Sequence, residues 1–147
     1  MGLTADLGPG PTALDTAVFI YYIEENPTYL PLVAPLFEEV AAGRREVATS
    51  SLTLLEVLVV PLRAGNAALA ARYEAGLTRS RGLRLVELGR DELRAAAQLR
   101  ALHPSLRTPD ALQMSAALSA GCHALVTNDR ELPPVRGLRV LQLRDYL

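Results

Sequence analysis

Apolar stretches of two kinds alternate along this chain, and their alternation predicts strands and helices in turn. Short runs of residues suited to strands occur at 12–14, 46–49, 82–88, 123–127 and 139–143. Longer amphipathic or largely apolar segments, predicted as helices, occur at 16–25, 32–42, 51–63, 66–79, 91–102 and 108–121. Strands that alternate with helices predict a parallel sheet with helices on both faces, so the predicted fold class is α/β.

Proline and its neighbours predict where several of these helices begin and end. Asn26 and Pro27 are expected to close the first helix. Pro61 is expected to end or kink the third, because proline lacks the N–H that the helix ladder needs. The last helix is predicted to begin with Thr108 as its cap and Pro109 at its first helical position.

The chain is predicted to form one domain after a short arm. Residues 1–11 contain glycine and proline without a hydrophobic period, so we predict a flexible N-terminal arm there and a single domain over 12–147. Half of the 147 residues are hydrophobic, which is enough for a core. No apolar run approaches the roughly 20 residues that cross a bilayer, and no signal peptide is recognisable. The predicted location is the cytoplasm, without membrane contact.

The composition restricts the chemistry that the chain can carry out. One cysteine and two histidines argue against a Cys/His zinc site, so any metal would be bound by oxygen ligands, as Mg²⁺ and Mn²⁺ prefer. All 15 basic residues are arginine, and the absence of lysine excludes a P-loop and Schiff-base chemistry and disfavours a phosphoacceptor receiver domain. The net charge of −1 argues against tight, non-specific binding of nucleic acid, but it is compatible with a nuclease whose site is acidic.

Three aspartates lie where predicted strands end or helices begin. Asp15 directly follows the first strand, Asp129 lies just beyond the fourth, and Asp110 lies in the first turn of its helix. Ligands of an open parallel sheet bind at the carboxyl ends of its strands, so Asp15 and Asp129 are expected at one edge. Each aspartate also has an ordinary structural explanation, Asp15 as a helix cap, Asp110 as a complement to the helix dipole and Asp129 as a turn residue.

Glu56 is harder to explain structurally, because it interrupts the apolar stretch 52–60. A charged side chain is rarely buried without a partner or a metal; the alternative is that Glu56 faces solvent on an otherwise apolar helix. If Ser51 caps this helix, Glu56 lies near its N-terminal end. A right-handed β-α-β unit directs that end toward the carboxyl edge of the sheet.

We therefore expect four acids to converge: Asp15, Glu56, Asp110 and Asp129. Like charges so close oppose one another's ionisation, and a divalent cation relieves that repulsion. Mg²⁺ or Mn²⁺ at such a site would activate water and stabilise charge on a phosphoryl oxygen, which is the chemistry of phosphodiester hydrolysis.

Four segments resemble, in order, the motifs of PIN domains. Residues 14–21 (LDTAVFIY) resemble the first motif, 49–57 (TSSLTLLEV) the second, 106–113 (LRTPDALQ) the third and 125–129 (LVTND) the fourth. Each motif alone is weak, but the set is specific, and the resemblance covers about 13–143. In pattern the chain is most similar to VapC-type toxins of toxin–antitoxin pairs.

The resemblance implies a three-layer α/β/α fold with a central five-stranded parallel sheet. It implies an endoribonuclease dependent on Mg²⁺ or Mn²⁺, a homodimer and an inhibiting antitoxin. By motif position, the acids that hold metal and serve catalysis are Asp15, Glu56, Asp110 and Asp129. Thr16 and Thr127 match the supporting polar positions beside them. The chain departs from the family pattern in its N-terminal arm and in lacking an aromatic residue at 130–134.

Several interpretations stay open at this point. The nuclease could be an RNA-processing enzyme without an antitoxin, or the domain could bind RNA as a scaffold without catalysis. Arg107 either contacts a phosphate, pairs with an acid or lies free at the surface. Tyr21 and Tyr22 either stack on bases or pack within the protein, and the apolar stretch 57–62 either contacts a partner or is buried in the monomer.

Overall fold

The structure, a computed structural model, describes residues 2–147. Five strands are β1 (Thr12–Leu14), β2 (Val47–Ser50), β3 (Leu83–Val86), β4 (Ala124–Thr127) and β5 (Arg139–Gln142). The α-helices are α1 (Leu3–Leu7), α2 (Thr16–Ile23), α3 (Leu30–Ala41), α4 (Leu52–Arg63), α5 (Ala67–Thr78), α6 (Arg90–Leu102) and α7 (Thr108–Ser119). A 3₁₀ helix covers Leu143–Tyr146.

The strands form one parallel sheet in the order β3-β2-β1-β4-β5. β1 lies at its centre, with Ala13 paired to Ala48 of β2 on one side and to Leu125 of β4 on the other. The chain runs outward from β1 to β3 and then crosses back to β4, so the order of strands reverses at β1. In doubly wound sheets ligands bind at the carboxyl edge beside this reversal.

Helices cover both faces of the sheet, because successive strand residues point to opposite sides. On β1, Leu14 packs with the core formed by α2, α3, α4 and α5, whereas Ala13 packs with that formed by α6 and α7. On β4, Val126 belongs to the first core and Leu125 to the second. The predicted three-layer α/β/α arrangement with five parallel strands is confirmed.

Helix α1 lies within residues 1–11, for which the sequence predicted a flexible arm. That prediction did not include a helix. Leu3 and Leu7 are 4% and 3% exposed and join the larger core. Arg45 donates to the backbone oxygens of Thr4 and Gly8 at 3.2 and 3.1 Å. A five-residue helix is too short to display a hydrophobic period, which is why the sequence pattern did not indicate it. Met1 of the predicted arm lies outside the described residues.

One expectation about helix ends is confirmed and one is wrong. α4 runs to Arg63 as predicted, so Pro61, which is buried inside it, does not end the helix. Proline lacks an N–H, so the helix loses one backbone hydrogen bond at Pro61, and only its last turn follows. Thr108 does not cap α7: it is the first helical residue, and its hydroxyl accepts a hydrogen bond from Arg100 at 3.0 Å.

No helix within residues 2–147 is long and apolar enough to cross a bilayer.

Candidate active site

Asp15 joins three elements at the carboxyl edge of the sheet. It follows β1 directly and caps α2, with Oδ1 accepting from the backbone N–H of Thr16 at 2.8 Å. Its other oxygen, Oδ2, accepts from the hydroxyl of Thr127 at the end of β4 at 2.7 Å. The capping role expected from the sequence is therefore present, and the second oxygen is oriented by the neighbouring strand. Both residues predicted to support the acids, Thr16 and Thr127, contact this carboxylate.

Asp129 is held in the tight turn that follows β4. Its backbone N–H donates to Thr127 Oγ1 at 3.1 Å, and its Oδ1 accepts from the N–H of Glu131 at 2.9 Å. Gln142 of β5 donates to its carbonyl oxygen at 2.8 Å. The turn role and a site role are compatible, because these bonds use Oδ1 and the backbone while Oδ2 faces Arg107.

Arg107 bridges two of the acids. Its Nε lies 3.3 Å from Asp110 Oδ2, and its Nη2 lies 3.5 Å from Asp129 Oδ2. The acids are mostly buried, with side chains 17% and 24% exposed, but Arg107 is 68% exposed. Water and salt screen such a pair strongly, so it contributes little to stability. Of the roles left open for Arg107, the structure places it against the acids.

The pKa of Asp110 shows that the three aspartates interact electrostatically. Burial raises the pKa of the Asp110 carboxyl, and the negative charges of Asp129 and Asp15 raise it further, whereas Arg107 opposes the shift. The nearby acids in turn raise the pKa of Arg107, Asp110 most of all. Asp15, Asp110 and Asp129 thus share a region of negative potential that is only partly neutralised.

Glu56 reaches the same edge from α4 but is attached differently. The Thr16 hydroxyl donates to Glu56 Oε1 at 2.7 Å, so this carboxylate is joined through Thr16 to the residue that Asp15 caps. Glu56 is half-buried, which excludes the alternative of a fully solvent-exposed position. It makes no hydrogen bond to Asp110 or Asp129 in the described chain.

A buried polar cluster lies beneath these acids, and the sequence analysis did not identify it. Thr49, Thr53 and Gln113 are 2%, 0% and 5% exposed. Gln113 Nε2 donates to Thr53 Oγ1 at 2.8 Å and to Thr16 Oγ1 at 3.3 Å. The available signal was a lone amide in α7, three residues after Asp110 and so on the same helix face.

The donor set fits a hard divalent cation in type and charge. The four predicted acids offer only carboxylate oxygens, which Mg²⁺ prefers, and Asp110 lies in a field that opposes its ionisation. A positive group, Arg107, already lies between two of them. Within residues 2–147, however, no three acidic, histidine or cysteine side chains are close enough together to hold one ion. To hold one ion together, these carboxylates would have to lie closer to one another.

The remaining residues that the sequence singled out have structural partners. Tyr21 stacks on Tyr29 with ring centres 4.4 Å apart, and Tyr22 stacks on Phe37 at 4.0 Å. These aromatic pairs support packing within the protein over stacking on bases. In the stretch 57–62 Val57 is buried, whereas the later residues include exposed ones, so this helix serves both the core and the surface.

Comparison with known proteins identifies the fold. The model of the PIN domain family matches residues 12–138. Among solved structures, VapBC2 from Rickettsia felis, bound to a promoter DNA fragment, is 18% identical with a TM-score of 0.71, covering 90% of this chain and 98% of that one. A Klebsiella pneumoniae toxin–antitoxin complex is 17% identical with a TM-score of 0.64, covering 86% and 94%.

A third solved neighbour is Mycobacterium tuberculosis VapC20, whose structure is described as a sarcin–ricin loop cleaving toxin. It is 16% identical, with a TM-score of 0.66, and the match covers 82% of this chain and 91% of that one. Identities this low carry the fold and no more. No curated protein sequence matches the chain.

Proposed function

Because the chain belongs to the PIN domain family, we propose that it is an endoribonuclease that depends on Mg²⁺ or Mn²⁺. The observation that carries this proposal is the electrostatic coupling of Asp110 to Asp15 and Asp129 at the edge where β1 and β4 end, with Glu56 attached through Thr16. The description of VapC20 as a sarcin–ricin loop cleaving toxin supports RNA as the substrate class.

The contacts indicate the role that we propose for each residue of the site. The residues that would hold the ion are Asp15, Glu56, Asp110 and Asp129. When bound, the ion supplies positive charge to the phosphate and makes water a competent nucleophile. Thr127 and the N–H of Thr16 fix the Asp15 carboxylate, and Gln142 fixes the turn that carries Asp129.

Arg107 is proposed to change partners during the reaction cycle. In the structure it neutralises Asp110 and Asp129. If Asp110 and Asp129 held an ion, they would no longer need this neutralisation, and the exposed guanidinium of Arg107 would be free to contact the substrate phosphate by charge-assisted hydrogen bonds. In the proposed step a water oxygen bonds to phosphorus as the scissile P–O bond breaks, the water gives up a proton to solvent and the leaving oxygen takes one up. No covalent intermediate forms on the protein.

We further propose that the chain is the toxin of a toxin–antitoxin pair, which acts in the cytoplasm. Two of the similar structures are toxin–antitoxin complexes or members of that system. A mostly apolar groove of about 530 Å³ between α2, α3 and α5 suits an antitoxin segment, and it contains Arg72 and Arg81. We expect the bound segment to be apolar with acidic residues opposite these arginines.

A homodimer is proposed on a different surface. Leu55, Val59 and Leu62 on α4 are 60%, 39% and 62% exposed. Their spacing of four and three residues places them on one side of the helix. An apolar stripe of this kind is typical of a surface covered by a partner, and we assign it to a second copy of the chain.

RNA cleavage with and without metal tests the nuclease assignment. Purified protein should cut RNA with Mg²⁺ or Mn²⁺ and stop when EDTA is added. Asp15→Asn and Asp110→Asn should each abolish cleavage while circular dichroism stays unchanged. Glu74→Gln is the matched control, since this exposed acid lies on α5, away from the edge where β1 and β4 end, and should keep full activity. Metal-dependent cleavage by both site variants would overturn the assignment.

Two further measurements separate the alternatives. Calorimetric titration that detects no Mn²⁺ binding, together with RNA affinity that metal does not change, would favour a non-catalytic RNA-binding domain. An adjacent gene for a small protein with a DNA-binding head and a helical tail would favour the toxin over an RNA-processing enzyme.

A further inference from the structure

The buried cluster beneath the acids has hydrogen bonds of fixed direction. Thr49 donates its single hydroxyl proton to the carbonyl oxygen of Leu14 at 2.8 Å. The 2.7 Å bond between Thr49 and Thr53 must therefore be donated by Thr53, since a hydroxyl has one proton. Gln113 Oε1 accepts from the backbone N–H of Ser50 at 3.3 Å, and this contact decides which way its amide is turned.

The amide of Gln113 then determines the group to which the Thr16 hydroxyl donates. Its Nε2 carries two protons and donates to Thr53 Oγ1 at 2.8 Å and to Thr16 Oγ1 at 3.3 Å. Thr16 gives its own proton to Glu56 Oε1 at 2.7 Å. The two hydroxyl oxygens lie 3.3 Å apart. The amide protons of Gln113 take one lone pair on each of these oxygens, and the Thr16 proton is directed at Glu56 Oε1.

We propose that Gln113 is a positioning residue for the metal site: it directs the Thr16 hydroxyl toward Glu56 and so holds that carboxylate at the carboxyl edge of the sheet. Gln113 contacts neither the substrate nor the ion, and it acts only through Thr16. The inference rests on the proposed function, because it gives Glu56 its place in that site. Partners that orient metal ligands in this way commonly change metal affinity by about 10- to 100-fold when they are removed.

Two nearly isosteric variants test the direction of the bonds. Gln113→Met cannot donate, so Thr16 is freed to turn toward Thr53, and Mn²⁺ affinity measured by calorimetry should fall about tenfold. Gln113→Glu presents an acceptor where Nε2 stood, so it competes with Glu56 for the Thr16 proton and should weaken Mn²⁺ binding more than Gln113→Met. Equal effects of the two variants would indicate packing alone and would overturn the proposal.

A double-mutant cycle shows whether the effect passes through Thr16. Thr16→Val should weaken Mn²⁺ binding about as much as Gln113→Met, and the double variant should be no weaker than either, because one link is cut twice. Additive losses would contradict the proposal. Thr16→Ser keeps the hydroxyl and should rescue binding. Ser115→Ala is the matched control, since Ser115 is also buried on α7 but bonds only to the backbone of Leu112.

A metal-free readout separates this inference from the proposed function. In a crystal structure of Gln113→Met or Gln113→Glu without metal, the Thr16–Glu56 bond should be lost and Glu56 turned outward. Retention of this bond at its wild-type length of 2.7 Å in both variants would overturn the positioning role even if the wild type binds Mn²⁺. A wild type that neither binds Mn²⁺ nor cleaves RNA, with the bond lost in the variants, would overturn the function and leave the positioning of Glu56 supported.

Discussion

Thr127→Val removes one hydroxyl and keeps the shape of the side chain, so it isolates the contribution of the bond to Asp15. Thr127 is fully buried, and its hydroxyl donates to Asp15 Oδ2 at 2.7 Å while accepting from the N–H of Asp129 at 3.1 Å. A hydrogen bond to a charged group contributes about 1.5–3 kcal/mol to stability. The N–H of Asp129 also loses its acceptor, which places the loss at the upper end of this range.

The expected loss is about 3 kcal/mol in the free energy of unfolding. For a domain of this length, each kcal/mol lowers Tm by about 2–4 °C, so Thr127→Val should melt about 6–12 °C below the wild type. Urea unfolding followed by circular dichroism gives the free energy, and a thermal scan gives Tm. RNA cleavage should fall together with stability, because Asp15 loses the contact that orients Oδ2.

Thr127→Ser is the matched control. It keeps the hydroxyl and loses one methyl group, which costs about 1 kcal/mol. If Thr127→Val were no less stable than Thr127→Ser, the bond to Asp15 would carry no net stabilisation and the reasoning would be wrong. The same comparison in an Asp15→Ala background should show a much smaller difference, since the charged acceptor is gone.

Four other predictions follow from the same contacts. Asp110→Asn should abolish RNA cleavage yet stabilise the fold at pH 7. Burial and Asp129 raise the pKa of the Asp110 carboxyl in the folded protein above its value in the unfolded chain. The stability that this carboxyl contributes is therefore complete below the pKa of the unfolded chain, and it is lost as the pH rises through the pKa of the folded protein. The urea midpoints of the wild type and Asp110→Asn should therefore differ least at acid pH. An Asp110→Asn variant that is less stable than the wild type at pH 7 would contradict this. Arg107→Gln should tighten Mn²⁺ binding in calorimetry, because it removes a competing cation; weaker binding would refute the competition. Leu7→Ala should cost about 2–5 kcal/mol in urea unfolding if α1 is part of the core, and less than 1 kcal/mol would refute that. Burial raises the pKa of Cys122 to about 11, so iodoacetamide should label native protein slowly at pH 8 and unfolded protein quickly; rapid labelling of the native form would contradict its burial.

Most of the fold was predictable because each main element carries enough apolar residues to show its period. β1 and β4 are short, but Pro11 and Asp15 bound the buried run of β1, and Gly121 and Asn128 bound that of β4. The alternation of strands and helices then fixes the direction of both strands. The predicted bounds of the strands and main helices agree with the structure to within about two residues, as boundary fraying leads one to expect. Helix α1 escaped because two leucines four residues apart define no period.

The positions of the acids in the fold were predictable from the sequence but their contacts were not, and their catalytic role stays a prediction. Sequence placed Asp15 and Glu56 at one edge, because both follow the strand-end and helix-start rules. It did not indicate that they are linked by Thr16, because a hydroxyl in the first turn of a helix most often serves the backbone. Gln113 was overlooked for a related reason. A buried amide has no interpretation until the donors and acceptors around it are known, and these come from three other segments of the chain.

The bond between Thr127 and Asp15 joins residues 112 positions apart in sequence. Closing so long a loop costs entropy that only the completed sheet repays, and contacts of this range form late in folding. During synthesis, Asp15 and Glu56 leave the ribosome well before β4 exists, and β1 then lacks one of its two neighbours. A nascent chain that ends before Ala124 carries three of the four acids but lacks β4 and Asp129. Its site is not assembled, so the proposed nuclease cannot act on RNA near the ribosome that is still making it.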